Sequence, residues 1–467
     1  MEKRNLQIVG SKKPSKCLNY VFTCLRLSLI AFFVAVMAGV GAILLTLLLH
    51  AVQNVMFGFS ESALKPSPVG LPVLHYVAVV LIVMSVAAII WMWLWTKSSN
   101  RIVDIAHAVR GQSMPWHTTI IHVCLQIFIV ASGASLGREV APRELAAMLT
   151  QKLLCFIRVS EFQARVLVAS AAGAGLAGVY RAPIAGAIMA LGLVAIPRFS
   201  HDSKSSLKRL KWYWFIQKFS IFAIALCISE IASLTTIFVL GYEPYYCLSS
   251  LDDIHIVNTT VLLLAIIVGI PCGIVGTLFH KMIRWARSKC ARNYQILYFL
   301  PLMGLVTGLV ASWNPAIMGN GRALAQYAYN IAKTSIAIDK NSLVTLLLLV
   351  VAKIILTSCT LRAGASGGVL QPSMSSGACV GLIIGFISMN IPVVGGMLSS
   401  QPKILVIAAI FGAASLLTAS RKSLWFALFL VAQLVNLPMI MIIPMVVSCA
   451  VSRSITMIPK FLAANNV

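Results

Sequence analysis

The sequence predicts an all-α, polytopic membrane protein built from two related halves. Three observations carry this expectation. Hydrophobic residues make up 59% of the 467 and charged residues only 10%, with a mean hydropathy of +0.92, whereas a soluble chain carries about 25% charge. Apolar runs long enough to cross a bilayer, roughly 17–25 residues, recur along the chain. Two unusual segments, broken by glycine and proline, return at a nearly constant spacing. A transmembrane barrel would instead alternate in strands of about ten residues.

Taken in order, a basic tail covers 1–27. Long apolar runs then fall at 28–50, 74–95, 213–240, 257–279, 297–313, 342–360 and 403–417. Shorter ones lie at 120–133, 145–157, 164–179, 183–197, 376–391 and 424–451. Ser-Gly-Ala-Ser begins at 132 and Ala-Gly-Ala-Ser at 363. A second pair, 171–197 and 411–438, places Arg181 against Arg421. These pairs divide the chain into repeats at 28–240 and 241–456, followed by a short tail at 457–467. Chance likeness between Ala/Gly-rich helices is the alternative. Two membrane halves of this kind often form inverted repeats, with the substrate site at their interface near the midplane.

The formal net charge is +25. Its basic residues gather at segment ends: Lys3, Arg4, Lys12, Lys13 and Lys16, then Lys204, Lys208, Arg209 and Lys211. This pattern favours positive-inside topology and contact with anionic lipid over nucleic acid. It places the N-terminus and the 198–212 loop in the cytoplasm. A positive field that draws anions to the membrane is the other reading. The 11 cysteines are scattered without a C-x-x-C pair, and read as small packed residues. No H-E-x-x-H, nucleotide loop or nucleophile elbow occurs, so no enzyme activity, metal or cofactor is expected. The polar, basic start and long first run argue against a cleavable signal peptide.

Chemistry concentrates in the broken segments. Pro142 follows "GREVA", Pro183 follows "VYRA" and Pro372 follows "GGVLQ". Proline suits the first helical turn, and glycine lets the chain bend just upstream. Each segment therefore reads as a loop entering a helix inside the membrane, which is tolerated only in a protein interior or a wet cavity. Helix N-termini converging there would hold an anion without a full buried cation. Close helix packing by small residues is the bland alternative. Glu139 precedes one such helix. Its carboxylate could compete with the anion for the same N–H groups, and let go on protonation or under voltage. A structural pair with Arg138 or Arg143 is the alternative, and Glu144 reads as a first-turn helix charge.

At these residues the sequence resembles the CLC chloride channels and chloride/proton antiporters. "LGREVAPRE" is similar to that family's G-[KR]-E-G-P segment, whose glutamate is the external gate. "GASGGVLQP" is similar to its G-x-F-x-P segment, "RAPIAGAIMALG" to its first A-P-L-A-G helix and "AIMGNGRALAQ" to its G-G-G region. The resemblance spans most of 28–455. It implies a homodimer of inverted-repeat subunits made of tilted and broken helices, each with its own anion pathway. Glu139 would gate that pathway. N–H groups of Gly137, Arg138, Glu139, Gly368, Val369 and Leu370 would line the anion site. The chain departs from the family at several points. Val140-Ala141-Pro142 replaces Gly-Pro. Asn100, in "SNRIVDIAHAV", stands where the family has an anion-coordinating serine, although a polar residue at a membrane edge fits it equally. Met439 stands near the coordinating tyrosine and cannot donate a hydrogen bond. Gly192-Leu193 replaces the antiporters' internal proton-passing glutamate. Glu230 is the nearest carboxylate in an apolar run, and packing against a polar neighbour would also explain it.

The resulting expectation is a chloride channel gated by a pH- and voltage-responsive glutamate. A proton-coupled chloride or fluoride antiporter and a non-transporting membrane protein are the alternatives. The partners would be small anions, protons, lipid and a second subunit, in a bacterial inner membrane.

Overall fold

A computed structural model describes residues 16–96, 101–194, 207–248, 258–333, 340–399 and 403–458. Asn100, Lys3, Arg4, Lys12, Lys13 and Lys204 lie outside the described residues. The first half supplies α1 (Lys16–Phe57), α2 (Val73–Thr96), α3 (Ile105–Val109), α4 (Trp116–Ala131), α5 (Val140–Cys155), α6 (Glu161–Tyr180), α7 (Pro183–Leu193) and α8 (Leu207–Leu240). The second supplies α9 (Thr259–Ser288), α10 (Ile296–Trp313), α11 (Arg322–Lys333), α12 (Lys340–Arg362), α13 (Leu370–Met389), α14 (Pro392–Ser399), α15 (Ile404–Arg421), α16 (Leu424–Leu434) and α17 (Ile442–Ile455). Among the described residues, nine of these helices are long and apolar enough to cross a membrane. The protein is a multi-pass helical membrane protein.

Two expectations shift. Helix α1 already begins at Lys16, inside the expected tail. The apolar run 424–451 is two helices, because Asn436 turns left-handed at φ 49° and Pro438 follows it.

Small residues set the packing. Gly377, Gly381 and Gly385 form one stripe on α13, and α15 lies against it through Ala408 and Gly412. A Cβ on Gly377 or Gly381 would run into α15 backbone. Every residue of α15 from Ile404 to Ser420 is consequently buried. In the first half, Gly173 meets the Gly186 carbonyl of α7, and Gly175 meets the Pro142 carbonyl of α5. The close-packing role of glycine is thus real, and it coexists with a second role described below.

The repeat is visible in the helix ends. Arg181 caps α6 and Lys422 caps α15, both left-handed, at φ 54° and 57°. The counterpart of Arg181 is therefore Lys422, one residue beyond the Arg421 expected from the sequence.

Candidate functional site

Two loops that dip between helices build the site. Each opens with the same turn. At the end of α4, Gly133 N–H donates to Val130 O and Ala134 N–H to Ile129 O. At the end of α12, Gly364 N–H donates to Leu361 O and Ala365 N–H to Thr360 O. This is the Schellman pattern, which needs a left-handed residue after the cap. Glycine supplies it at φ 107° for Gly133 and 111° for Gly364. The loops then run past one another. Gly137 and Gly368 form a two-residue antiparallel bridge, each N–H donating to the other's carbonyl at 2.8 Å. The Ser135 and Thr357 hydroxyls lie 3.3 Å apart beside it.

Glu139 follows directly and is only 1% exposed. Its carboxylate does not cap its own helix α5. It crosses to the other half instead. Oε1 accepts from the Leu370 N–H at 2.6 Å, the first N–H of α13, and Oε2 accepts from the Tyr180 hydroxyl at 3.3 Å. A helix N-terminus carries about half a positive charge, so the carboxylate occupies a ready-made anion position. Gly137 and Gly368 flank it so closely that a Cβ on either would collide with the carboxylate. Among the described residues, no ion pair joins Glu139 to Arg138 or Arg143.

A cavity of about 530 Å³ leads toward this point, lined by Arg138, Tyr180, Glu61, Arg322, Glu230 and Glu243 among others. Its floor is a charged network. Glu61, from the loop between α1 and α2, accepts from Asn320 at 3.2 Å and from Gln53 at 3.3 Å, and lies 3.5 Å from Arg322. Burial pushes the Glu61 carboxyl up, but Arg138, Arg322 and the two amides outweigh this and hold it below the ordinary glutamate value. Buried Lys353 donates to the carbonyls of Ile317 and Gly319, which fixes the turn before Asn320. The Tyr245 ring stacks edge-on against Tyr180 at 5.4 Å and carries the Arg322 guanidinium 4.6 Å from its centroid.

The expected site residues therefore separate. Glu139, Gly137, Gly368, Val369 and Leu370 converge. The N–H groups of Gly137 and Gly368 each donate to the other residue's carbonyl, because the two extended stretches satisfy one another's backbone. Of the second loop, Leu370 is the donor to the carboxylate. Arg138 lines the cavity, buried, interacting with Tyr245 and Glu61. Met439 is 86% exposed and is not a partner of Glu139. The hydroxyl that meets the carboxylate comes from Tyr180, at the end of α6. Glu230 lines the same cavity as Arg138, near the Pro183 end of α7, while Gly192 lies at the other end of that helix. Glu230 thus lies by the end of α7 opposite Gly192-Leu193. Glu144 is no solvated first-turn charge: it is 6% exposed and accepts from Gln126. Tyr180, Glu61, Arg322 and His122 escaped the sequence reading. Tyr180 had a signal, since it closes the Gly/Ala helix just before the broken "RAP" segment.

Residues 84–457 match the model of the family described as voltage gated chloride channel. The chain belongs to this CLC family. Its members move anions across membranes as channels or as proton-coupled antiporters. The voltage-gated ClC-type chloride channel ClcB of Citrobacter koseri is 23% identical over 357 residues, 73% of this chain and 75% of that protein. Among solved structures, a slow cyanobacterial chloride/proton antiporter matches 93% of this chain and 94% of its own, with TM-score 0.71 and 19% identity. A CLC-type fluoride/proton antiporter matches 93% and 96%, with TM-score 0.63 and 19% identity. At that identity the likeness speaks for the fold.

Proposed function

We propose that this CLC protein is a chloride pathway gated by Glu139. One observation carries the reading: the Glu139 carboxylate accepts the first N–H of α13, a position that suits an anion. Carboxylate and chloride then compete for one place. Protonation removes the charge that holds Glu139 there. A membrane field acts on the same charge, at about 2.3 kcal/mol per charge per 100 mV crossed. The cavity beyond, with Arg138 and Arg322 at its floor, supplies a positive field for an arriving ion.

The test is chloride efflux from sealed liposomes. Glu139→Ala should keep chloride flux and lose its dependence on pH and voltage. Loss of all flux from a folded protein would count against the reading. Fluoride in place of chloride, on the same liposomes, tests ion preference. Proton-coupled exchange is the second reading. The observation favouring it is a buried carboxylate–imidazole pair between Glu144, further along α5, and His122 of α4. We place the protein in a bacterial inner membrane with a cytoplasmic N-terminus, as a homodimer. The basic segment ends support the orientation, and the bacterial relatives support the membrane.

A further inference from the structure

Glu144 sits five residues beyond Glu139, about 7.5 Å along the axis of α5 at 1.5 Å per residue. It is buried at a helix interface with no solvent to stabilise charge, and its surroundings are specific. Gln126 Nε2 donates to Oε2 at 2.8 Å. His122 Nε2 lies 3.7 Å from the same oxygen. The imidazole's other nitrogen fixes its tautomer. Trp91 Nε1–H donates to His122 Nδ1 at 3.0 Å, and an indole nitrogen can only donate. Nδ1 is therefore the acceptor, and the neutral ring carries its proton on Nε2, aimed at Glu144. The ionised carboxylate has two donors facing it.

The neutral carboxyl is provided for as well. Gln126 Oε1 is buried without a hydrogen-bond partner. Rotation of that amide turns Oε1 to the carboxyl and offers an acceptor for its O–H. An orphaned buried acceptor needs a reason. The other facing groups complete the setting. Asp104, which caps the start of α3, is 64% exposed at its side chain, holds His107, and interacts with Glu144 electrostatically. Arg143, the neighbour on α5, interacts with both Glu144 and Glu139. Helices α1 and α6 meet α5 here through uncharged Gly41, against Leu145, and Gly175, against Pro142. Of these carboxyls, Glu139 opens α5 and Glu144 lies on it, while Asp104 approaches from the start of α3.

We propose that Glu144, held by His122 and Gln126, is the second proton-binding carboxyl of the transport cycle, serving where Gly192-Leu193 offers none. The inference rests on the proton-coupled reading above. Its step is a proton transfer only. The Glu144 carboxylate takes a proton and becomes neutral, and it is recharged when the proton leaves toward Glu139. Arg143, facing both, couples the charge of one carboxylate to the other.

The experiment uses the full chain in sealed liposomes under a chloride gradient, recording chloride and internal pH together. The wild type should move protons against their gradient. Glu144→Gln keeps the amide-sized shape; chloride flux should persist while proton movement falls at least about tenfold. Glu144→Asp should restore part of it. Undiminished coupling in Glu144→Gln overturns the inference and leaves the coupled reading intact. A wild type that moves chloride and no protons overturns the coupled reading, and this inference with it. Should Glu144→Gln fail to fold, His122→Asn serves instead: a lowered proton-to-chloride ratio is expected, and an unchanged ratio overturns the inference.

Discussion

The loop at 132–139 and the loop at 363–369 share a turn, a bridge and a helix that starts where they end, yet they carry different side chains. The first ends in Arg138-Glu139, the second in Gly368-Val369. Backbone symmetry puts two helix N-termini at one level. The asymmetry of a single carboxyl decides which half supplies the carboxylate and which supplies the donor. Had both loops ended in glutamate, two like charges would meet between Gly137 and Gly368, and one would have to stay neutral. Had neither, the α13 N–H would stand open to any anion. The two loops share the cradle, and a difference in sequence puts a carboxylate into it.

Gly368→Ala breaks this arrangement most directly. Its Cβ would occupy the place of the carboxylate, and backbone on the opposite loop prevents retreat. Chloride efflux at neutral pH should rise toward its acid value, by at least about tenfold, equivalent to roughly 1.4 kcal/mol lost by the plugged state. An unchanged pH profile would mean that Glu139 is held elsewhere.

The cavity floor comes next. Each half gives it one arginine, Arg138 and Arg322, and both face Glu61. Removing one partner of a buried pair leaves a charge uncompensated, at about 3–5 kcal/mol. Arg322→Met should lower stability on that scale in thermal melts of the purified protein. The pH trend has a definite sign. Glu61 sits below the ordinary value of 4.5 in the folded chain. Its contribution is complete above 4.5 and fades as pH falls through the lowered folded value. The wild type should therefore lose stability in acid below that point, and Arg322→Met should lose less there.

The paired turns offer a sharper contrast. Alanine at either glycine meets a positive φ that L-residues avoid, costing about 1–2 kcal/mol. The surroundings differ. A Cβ at Gly364 lies 2.5 Å from the Ala291 carbonyl oxygen, which is backbone, whereas at Gly133 it lies 2.5 Å from the flexible Met318 methyl. Gly364→Ala should destabilise more than Gly133→Ala, again read by thermal melts. Equal losses would mean that backbone conformation alone sets the cost.

The broken helices and their glycines were legible because they violate the rules of a plain membrane span. A Gly-Ala-Ser turn before a proline-opened helix has few other uses in an apolar run, and so Glu139 stood out. What stayed hidden depended on contacts far apart in sequence. Nothing near Glu61 announces that Asn320 and Arg322 will reach it, and the place of Tyr180 at a helix end does not announce that its hydroxyl will meet Glu139. Met439 rested on position along the chain alone, which does not carry position in space. Glu144 misled for a related reason: a first-turn acid is ordinarily solvated, and only the packing of α4 against α5 buries this one beside His122 and Gln126.

Tyr180 gives the smallest expected effect and the finest test of the gate. Its hydroxyl is a neutral donor at 3.3 Å, whereas the Leu370 N–H sits at 2.6 Å on a helix dipole. Tyr180→Phe removes the hydroxyl but keeps the ring, and with it the edge-on contact with Tyr245 at 5.4 Å. Packing should survive and only the bond be lost. A single hydrogen bond is worth about 0.5–1.5 kcal/mol net, so efflux at neutral pH should rise by about two- to tenfold, less than for Gly368→Ala. Unchanged efflux would mean that the second half, through Leu370, holds the plug alone. A fall would place the hydroxyl among the groups that serve the passing ion, and both halves would then supply donors to the anion as well as to its competitor.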